Sequence, residues 1–504
     1  MRPTNVDQDR RNSVSLLGSS LAVVAGRSVG IIIQFVAGVI LARLLTPNEF
    51  GVFAVAAGVA SLLNALREFG SSTFLVRAPA VDRKTVGSVL IVSTGMSTIL
   101  GGIIALSASW LSAFFGDHRL ELLLYVLAGN CLLVPPAMLG NALLVREQRF
   151  LALTAIETVS AVAGALVMVG LALVGAGPLA LALGASISTL SVVVMTIMAK
   201  PQGWVLCFSL RHVKSVVTFG GWVTGMSLVA QFSERVPELV LGRTQGVTAA
   251  GLFDKAGALS RLVGSFAGPV IHSVLLSQVA EENRRSADMS TAYFRRLAVL
   301  SSVAWPAFLF VAIQAEPMVL LTFGAQWGQA VPVASWAAIN AMLTTPFLLA
   351  DNLLITKGLV QDLFWQKLVL LCGRFLVILC ASPFGLVVVS AVLLAPNLAY
   401  LWLNQKSVLS LVGSRWGVLF RSLRQATVLA AAVGAATLWA ARGCSGVGTA
   451  EMIQELIMTG ALAAGVWVLV SLLGGGPMTE VSRRIMVRLW RRATAGWQTR
   501  NGQR

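Results

Sequence analysis

Twelve ionisable side chains stand inside otherwise apolar stretches of this chain. Six are basic (Arg27, Arg67, Arg235, Lys255, Arg261, Arg374) and six acidic (Glu68, Glu157, Glu234, Glu238, Asp254, Asp351). At membrane depth such a group costs ~2.5–3.5 kcal/mol on insertion scales, so each needs a polar cavity or a partner. Guanidinium groups give phosphate bidentate hydrogen bonds and never lose their charge. Arg27, Lys255, Arg261 and Arg374 are therefore candidates to hold an anionic ligand. The equal number of acids leaves a second reading open, in which these bases neutralise acids on neighbouring helices. That second reading is stronger for Arg67 and Arg235, which adjoin Glu68 and Glu234 and sit nearer helix ends. Asp351 and Glu157 have no basic residue one turn away. Either could take up a proton reversibly, or hold two helices together as a hydrogen-bonded carboxyl.

Helical spacing gathers the polar residues into stripes. Arg27, Gly30 and Gln34 share one face, as do Asn64, Arg67, Glu68 and Ser71. Gln231, Glu234 and Glu238 form a third stripe beside Pro237, Asp254 and Arg261 a fourth, and Asn340, Thr344 and Asp351 a fifth. Gln34, Asn64, Gln231, Glu234 and Asn340 are thus expected to line a polar interior, because a helix facing lipid all round does not tolerate such stripes.

The elements that must position these residues follow from composition. Of 504 residues, 56% are hydrophobic and only 12% charged, with a mean hydropathy of +0.81. A soluble fold of this size needs about twice that share of charge for its surface. The chain therefore reads as an all-α polytopic membrane protein. A crossing helix needs ~20 mostly apolar residues, and such runs lie near 15–42, 50–75, 86–110, 119–143, 151–174, 178–199, 215–241, 250–277, 297–316, 329–351, 363–381, 384–404, 423–441 and 453–473. About fourteen transmembrane helices are expected. Pro135, Pro136, Pro269, Pro306, Pro346 and Pro396 fall inside these runs, where proline bends a helix and frees a carbonyl.

The net charge of +17 is distributed as short basic clusters between the runs. It forms no patch interleaved with aromatics, so nucleic acid is not an expected partner. With the N-terminus inside, the clusters Arg77, Arg83, Lys84; Arg146, Arg149; Arg284, Arg285; and Lys357, Lys367 all fall on the inner side, along with the basic tail. Only Arg43, Arg119, Arg243 and Arg442 fall outside. This bias follows the positive-inside rule and implies two cytoplasmic termini. The segment around Arg27 reads as a retained first helix, not a signal peptide. The division expected is a tail (1–14), a six-helix bundle (15–199), a linker (200–214), a second six-helix bundle (215–404), a loop with two appended helices (405–473), and a basic tail (474–504).

Five cysteines form no CxxC pair, and three histidines lack metal-ligand spacing. No metal, cofactor or enzymatic constellation is expected. The outer connections are too short for a catalytic domain, which argues against a membrane polymerase or ligase.

An internal repeat is visible. LARLLTPNEFGVF (41–53) aligns without a gap onto LGRTQGVTAAGLF (241–253), matching Arg43 with Arg243, Gly51 with Gly251 and Phe53 with Phe253. Both copies end one long helix and begin the next, so the two bundles form a parallel repeat. The LARLLTP–EFG turn, Gly51-Val52-Phe53, the EFG at 68–70, and FGGWVTGMSLVAQFSE (219–234) resemble the polysaccharide transporter family, Wzx-like members of the multidrug/oligosaccharidyl-lipid/polysaccharide (MOP) flippase superfamily. The resemblance implies two bundles around a central cavity that opens to either side in turn. It implies movement of undecaprenyl-diphosphate-linked oligosaccharides across the bacterial inner membrane, for exopolysaccharide or lipopolysaccharide synthesis. A polysaccharide polymerase or co-polymerase of the same pathway is the partner it suggests. On this resemblance Arg27, Lys255, Arg261 and Arg374 hold the carrier's diphosphate. Ion-coupled relatives make Asp351 or Glu157 a candidate proton or sodium site. The alternative is a MATE-type drug/cation antiporter, which shares the two-bundle plan but usually stops at twelve helices.

Overall fold

The computed structural model describes residues 26, 28–68, 75, 83–199, 213–265, 289–442, 448–473 and 477–479. These are almost wholly helical, with no strand among them. Nine helical stretches among the described residues are long and apolar enough to cross a membrane, or ten if a bent pair counts as one span. The all-α, multi-pass expectation holds, and nine or ten of the expected fourteen or so spans meet this measure among the described residues. Helices also occupy the described parts of the expected first, second, seventh and eighth spans. The chain divides into two compact units, residues 1–254 with 371–389, and residues 255–370 with 390–504.

The first unit holds α1 (Ser28–Leu44), α2 (Pro47–Glu68), α3 (Arg83–Phe115), α4 (Arg119–Cys131), α5 (Val134–Arg146), α6 (Phe150–Leu173), α7 (Pro178–Ala199), α8 (Val213–Thr244) and the start of α9 (247–265). Its core packs Val52, Val55 and Ala56 of α2 against Ile104 and Ala108 of α3, with Leu120, Leu123 and Leu124 of α4. The alanines let these helices approach closely, which is how packing is won where lipid is as apolar as the protein. The apolar run 119–143, expected as one helix, is two: α4 and α5 meet at a bend of 44°. Pro135 and Pro136 have no N–H to donate to the carbonyls four residues back, so the ladder breaks at Leu132 and Leu133.

The two repeat copies meet each other within this unit. A Cβ on Gly51 would stand 1.8 Å from the Val247 carbonyl oxygen, and one on Gly251 would stand 2.4 Å from that of Pro47. Residues 47 and 247 are matched positions in the repeat, as are 51 and 251, so the contact is reciprocal. Between the two glycines, Asn48 Nδ2 donates to Thr248 Oγ1 at 3.1 Å, again joining matched positions. Only glycine permits backbone this close to backbone.

The second unit contains the rest of α9, then α10 (Met289–Ile313), α11 (Ala315–Phe323), α12 (Val331–Thr344), α13 (Phe347–Thr356), the first half of α14 (Val360–Ala381), the end of α15 (Leu386–Val392), α16 (Leu394–Leu411), α17 (Trp416–Ala441) and α18 (Thr449–Leu473). The run 329–351 divides into α12 and α13 before Pro346, and 384–404 divides ahead of Pro396. The helices expected as an appended pair pack into this unit. Along α10, α17 buries Ala426, Leu429 and Val433. On α18, Trp467 Nε1 donates to the Ser302 carbonyl at 2.9 Å, and Thr459 Oγ1 accepts from Gln314 Nε2 at 2.8 Å.

Candidate functional site

Of the four bases expected to meet an anion, three can be placed. Arg27 lies outside the described residues. Lys255 is buried on α9, its Nζ 5.4 Å from the centre of the Phe323 ring on α11, a cation–π arrangement. Arg261 lies two turns further along α9 and is exposed; its guanidinium runs back over Gly257, where a Cβ would stand 2.7 Å from Nη1. Arg374 belongs to the part of α14 in the first unit. Its Nη1 donates to the Ser233 carbonyl oxygen at 2.8 Å and to Ser233 Oγ at 3.2 Å, tying α14 to α8.

The expected cavity lining divides in two. Gln34 on α1 and Gln231 and Glu234 on α8 are exposed. The side chain of Asn64 lies outside the described residues. Asn340 is engaged structurally: its Nδ2 donates to the Trp336 and Ser390 carbonyls at 3.0 and 3.1 Å, and its Oδ1 accepts from Asn397 Nδ2 at 2.7 Å. It therefore clamps α12, α15 and α16 together. Glu238, on the same stripe as Glu234, is buried and lies 3.8 Å from Arg235 one turn back.

The two carboxylates singled out for coupling differ sharply. Glu157 is exposed on α6. It adjoins the face where Thr158 Oγ1 donates to the Gly26 carbonyl at 3.4 Å and where Thr154 packs on Gly26. Asp351, on α13, is the hub of a half-buried network. Lys367 Nζ on α14 stands 2.7 Å from its Oδ2, while Tyr400 Oη and Asn404 Nδ2 on α16 donate to Oδ1 at 2.8 and 3.0 Å. Gln366 Nε2 donates to Ser407 Oγ at 2.8 Å beside it, and Tyr293 Oη on α10 donates to Gln405 Oε1 at 3.0 Å. The Asp351 and Lys367 side chains are each 21% exposed, so this pair is shielded from the screening that weakens surface bridges.

None of Lys367, Gln366, Tyr400, Asn404 or Ser407 stood out in the sequence as a site residue. Tyr400, Asn404 and Ser407 recur at i, i+4 and i+7, a stripe that spacing alone could have found. Lys367 was absorbed by its part in the topology pattern.

Among the described residues no group of three or more His, Cys, Asp or Glu could hold a metal ion. What the fold supplies instead is buried and half-buried charge inside apolar helix bundles. Together with the nine or ten apolar spans, that defines a multi-pass membrane protein. The chain belongs to a family described as polysaccharide biosynthesis proteins, whose model matches residues 40–332. It is 26% identical to the succinoglycan biosynthesis transport protein ExoT of Rhizobium meliloti (strain 1021) over 77% of each chain. It is 23% identical to the lipopolysaccharide biosynthesis protein WzxC of Escherichia coli (strain K12), over 64% of this chain and 66% of that one. In fold it matches the lipid II flippase MurJ in an inward closed conformation, with a TM-score of 0.67 at 12% identity over 90% of this chain and 98% of that chain. An inward-facing multidrug resistance MATE transporter of the MOP superfamily matches less well, with a TM-score of 0.53 at 15% identity over 78% of this chain and 99% of that chain.

Proposed function

We propose that this chain is a transporter, not an enzyme, that flips oligosaccharide repeat units linked to undecaprenyl diphosphate from the cytoplasmic to the periplasmic leaflet of the bacterial inner membrane. The observation that carries the reading is the match of the polysaccharide biosynthesis family over residues 40–332. In addition, Trp439, Met458, Leu462, Val466 and Leu469 line an open, largely apolar groove between α17 and α18, with Arg442 also on its wall. A long hydrocarbon chain joined to an anionic head is the ligand that such a surface suits. The relatives named for succinoglycan transport and lipopolysaccharide biosynthesis support the same substrate class.

In this reading Arg27, Lys255, Arg261 and Arg374 receive the diphosphate during the cycle. Gln34, Asn64, Gln231 and Glu234 line the path of the sugars, and Asn340 holds the helices beside it. The two six-helix bundles alternate their exposure, both termini are cytoplasmic, and the polymerase or co-polymerase of the pathway receives the product.

The test is deletion with complementation, reading surface polysaccharide and the leaflet in which the diphosphate-linked repeat accumulates. Repeats trapped on the cytoplasmic side, rescued by the intact gene but not by an Arg27→Ala/Arg261→Ala variant, are the expected result. If that variant is expressed normally and exports normally, the diphosphate assignment is wrong. Unchanged polysaccharide with altered sensitivity to cationic drugs would replace the whole reading with a drug antiporter.

A further inference from the structure

The corner where α16 gives way to α17 gathers exposed aromatic and basic side chains. On α16, Lys406 Nζ lies 5.2 Å from the centre of the Trp402 ring one turn back, and Trp402 is 53% exposed. On α17, Phe420 is 67% exposed and stands beside Trp416, their ring centres 6.4 Å apart. Arg415, Arg421 and Arg424 on the same stretch are exposed, and the sequence from Trp402 to Gln425 holds no acid. Aromatic rings beside long basic side chains suit headgroup depth, with the rings toward the acyl chains and the charges toward phosphate.

The last described residues are fastened to the same place. Met478 is buried against Val299, Val303 and Trp467. Its N–H donates to Gln425 Oε1 at 3.3 Å, and Gln425 Nε2 donates to Thr479 Oγ1 at 3.3 Å. Gln425 directly follows Arg424, so the chain departs from Thr479 beside the α17 arginines. Residues 480–504 lie outside the described residues. Their sequence holds seven arginines and one acid, Glu480. At a helical period the five arginines of 483–492 fall on one side, and Ile485, Met486, Leu489 and Trp490 fall on the other.

We propose that this corner and the tail fastened to it form a docking surface for the headgroups of anionic phospholipids. Over the two segments eleven bases face one acid, which attaches most of the net charge of +17 to one end of this unit. Basic clusters of this kind beside a membrane span attract anionic headgroups, and salt weakens the attraction. A dissolved anion would need only the bases. The exposed Trp402 and Phe420, and the apolar side of the tail sequence, fit a bilayer instead. Binding of this kind is independent of what the protein transports and of the leaflet that this end faces.

The test is lipid selectivity of the purified full-length protein in bilayers, read by electron spin resonance as the motionally restricted fraction of spin-labelled phosphatidylglycerol against spin-labelled phosphatidylcholine. The native protein should favour phosphatidylglycerol by ~3-fold or more at low salt, and NaCl should lower that ratio. Two variants should each reduce it: a chain ended after Thr479, which keeps the Met478 anchor, and Arg421→Gln/Arg424→Gln. Both should stay monodisperse, since the residues changed are exposed or follow the last described one. Equal restriction of the two lipids by the native protein overturns the proposal, because the bases then serve topology alone. A preference for phosphatidylglycerol that neither variant lowers overturns it too, by placing the lipid elsewhere. Sodium phosphate matched to NaCl in ionic strength should lower the ratio no more than chloride does. Stronger displacement by phosphate would mean that the bases hold a free anion, and would overturn the membrane assignment.

Discussion

The two copies of the turn, residues 41–53 and 241–253, start their second helix by different means. In the first, Thr46 and Glu49 form a capping box: Glu49 N–H donates to Thr46 Oγ1 at 3.3 Å, and Thr46 N–H donates to Glu49 Oε2 at 2.8 Å. Pro47 follows at the first helical position, where its missing N–H costs nothing. In the second copy, position 246 is a glycine with φ of +90°, and the turn is made by backbone geometry alone. Yet both copies close the preceding helix with the same bond, Leu45 N to Leu41 O at 2.9 Å and Gln245 N to Leu241 O at 2.8 Å. Both also keep glycine at the point of closest approach. Local starts and stops are interchangeable, whereas backbone contact at Gly51 and Gly251 is not.

The largest effect should come from filling that contact. Gly51→Ala places a methyl against the Val247 carbonyl and should cost about 3 kcal/mol or more, since backbone cannot turn aside as a side chain can. Gly251→Ala should cost somewhat less. Thermal unfolding in detergent and folded yield measure both, and two tolerated alanines would break the comparison by showing that the copies do not meet this way in solution.

Next come the caps. Gly246→Ala forces an L-residue into left-handed backbone, at about 1–2 kcal/mol. Thr46→Ala should cost ~1 kcal/mol and Thr46→Gly only a few tenths. If Gly246→Ala proves as mild as Thr46→Gly, the two starts are more alike than their geometry says. A double-mutant cycle of Asn48→Ala with Thr248→Ala should return a coupling of ~0.5–1.5 kcal/mol; a value of zero would mean that only the glycines join the copies.

The smallest effect is a dependence on pH confined to the first copy. The Arg119 guanidinium hydrogen-bonds Asp117, at 2.6 Å, and also Asn48, and it holds the Asp117 carboxyl below its ordinary 3.8. A carboxyl with a lowered folded-state pKa adds stability above its unfolded pKa, and that stability is lost as the pH falls through the folded value. Arg119 is 47% exposed, so the contribution is a few tenths of a kcal/mol at most. Unfolding curves taken from neutral to acid should show that small loss in the native chain, and Asp117→Asn should remove it.

Much of this was legible in the chain. Span positions follow from runs of apolar residues, and the repeat follows from two glycines and two arginines 200 positions apart. Periodicity assigns a residue to a face of its helix, but it does not say which faces meet. For that reason Asp351 could be marked as unusual while Lys367, Tyr400 and Asn404 could not be named as its partners. It is also why the bonds of the Asn340 amide to α15 and α16 could not be read from its stripe. The breaks near Pro135, Pro346 and Pro396 were foreseeable from the prolines, and only the first bends its span by more than 40°, since 325–356 and 386–411 each still run as one. Nothing local to Arg374 announces that the Ser233 carbonyl lies across from it.

The reciprocal contact between positions 47 and 251 and between 51 and 247 has the form of an isologous interface, the kind that two identical subunits make about a two-fold axis. Residues on such an axis touch their own counterparts, as Asn48 and Thr248 do. The seam is thus what a homodimer interface becomes once both subunits share one polypeptide. Fusion changes what mutation can do there. In a homodimer every substitution strikes both sides at once, but here each side drifts alone, so one copy could exchange its threonine cap for a glycine while the other kept it.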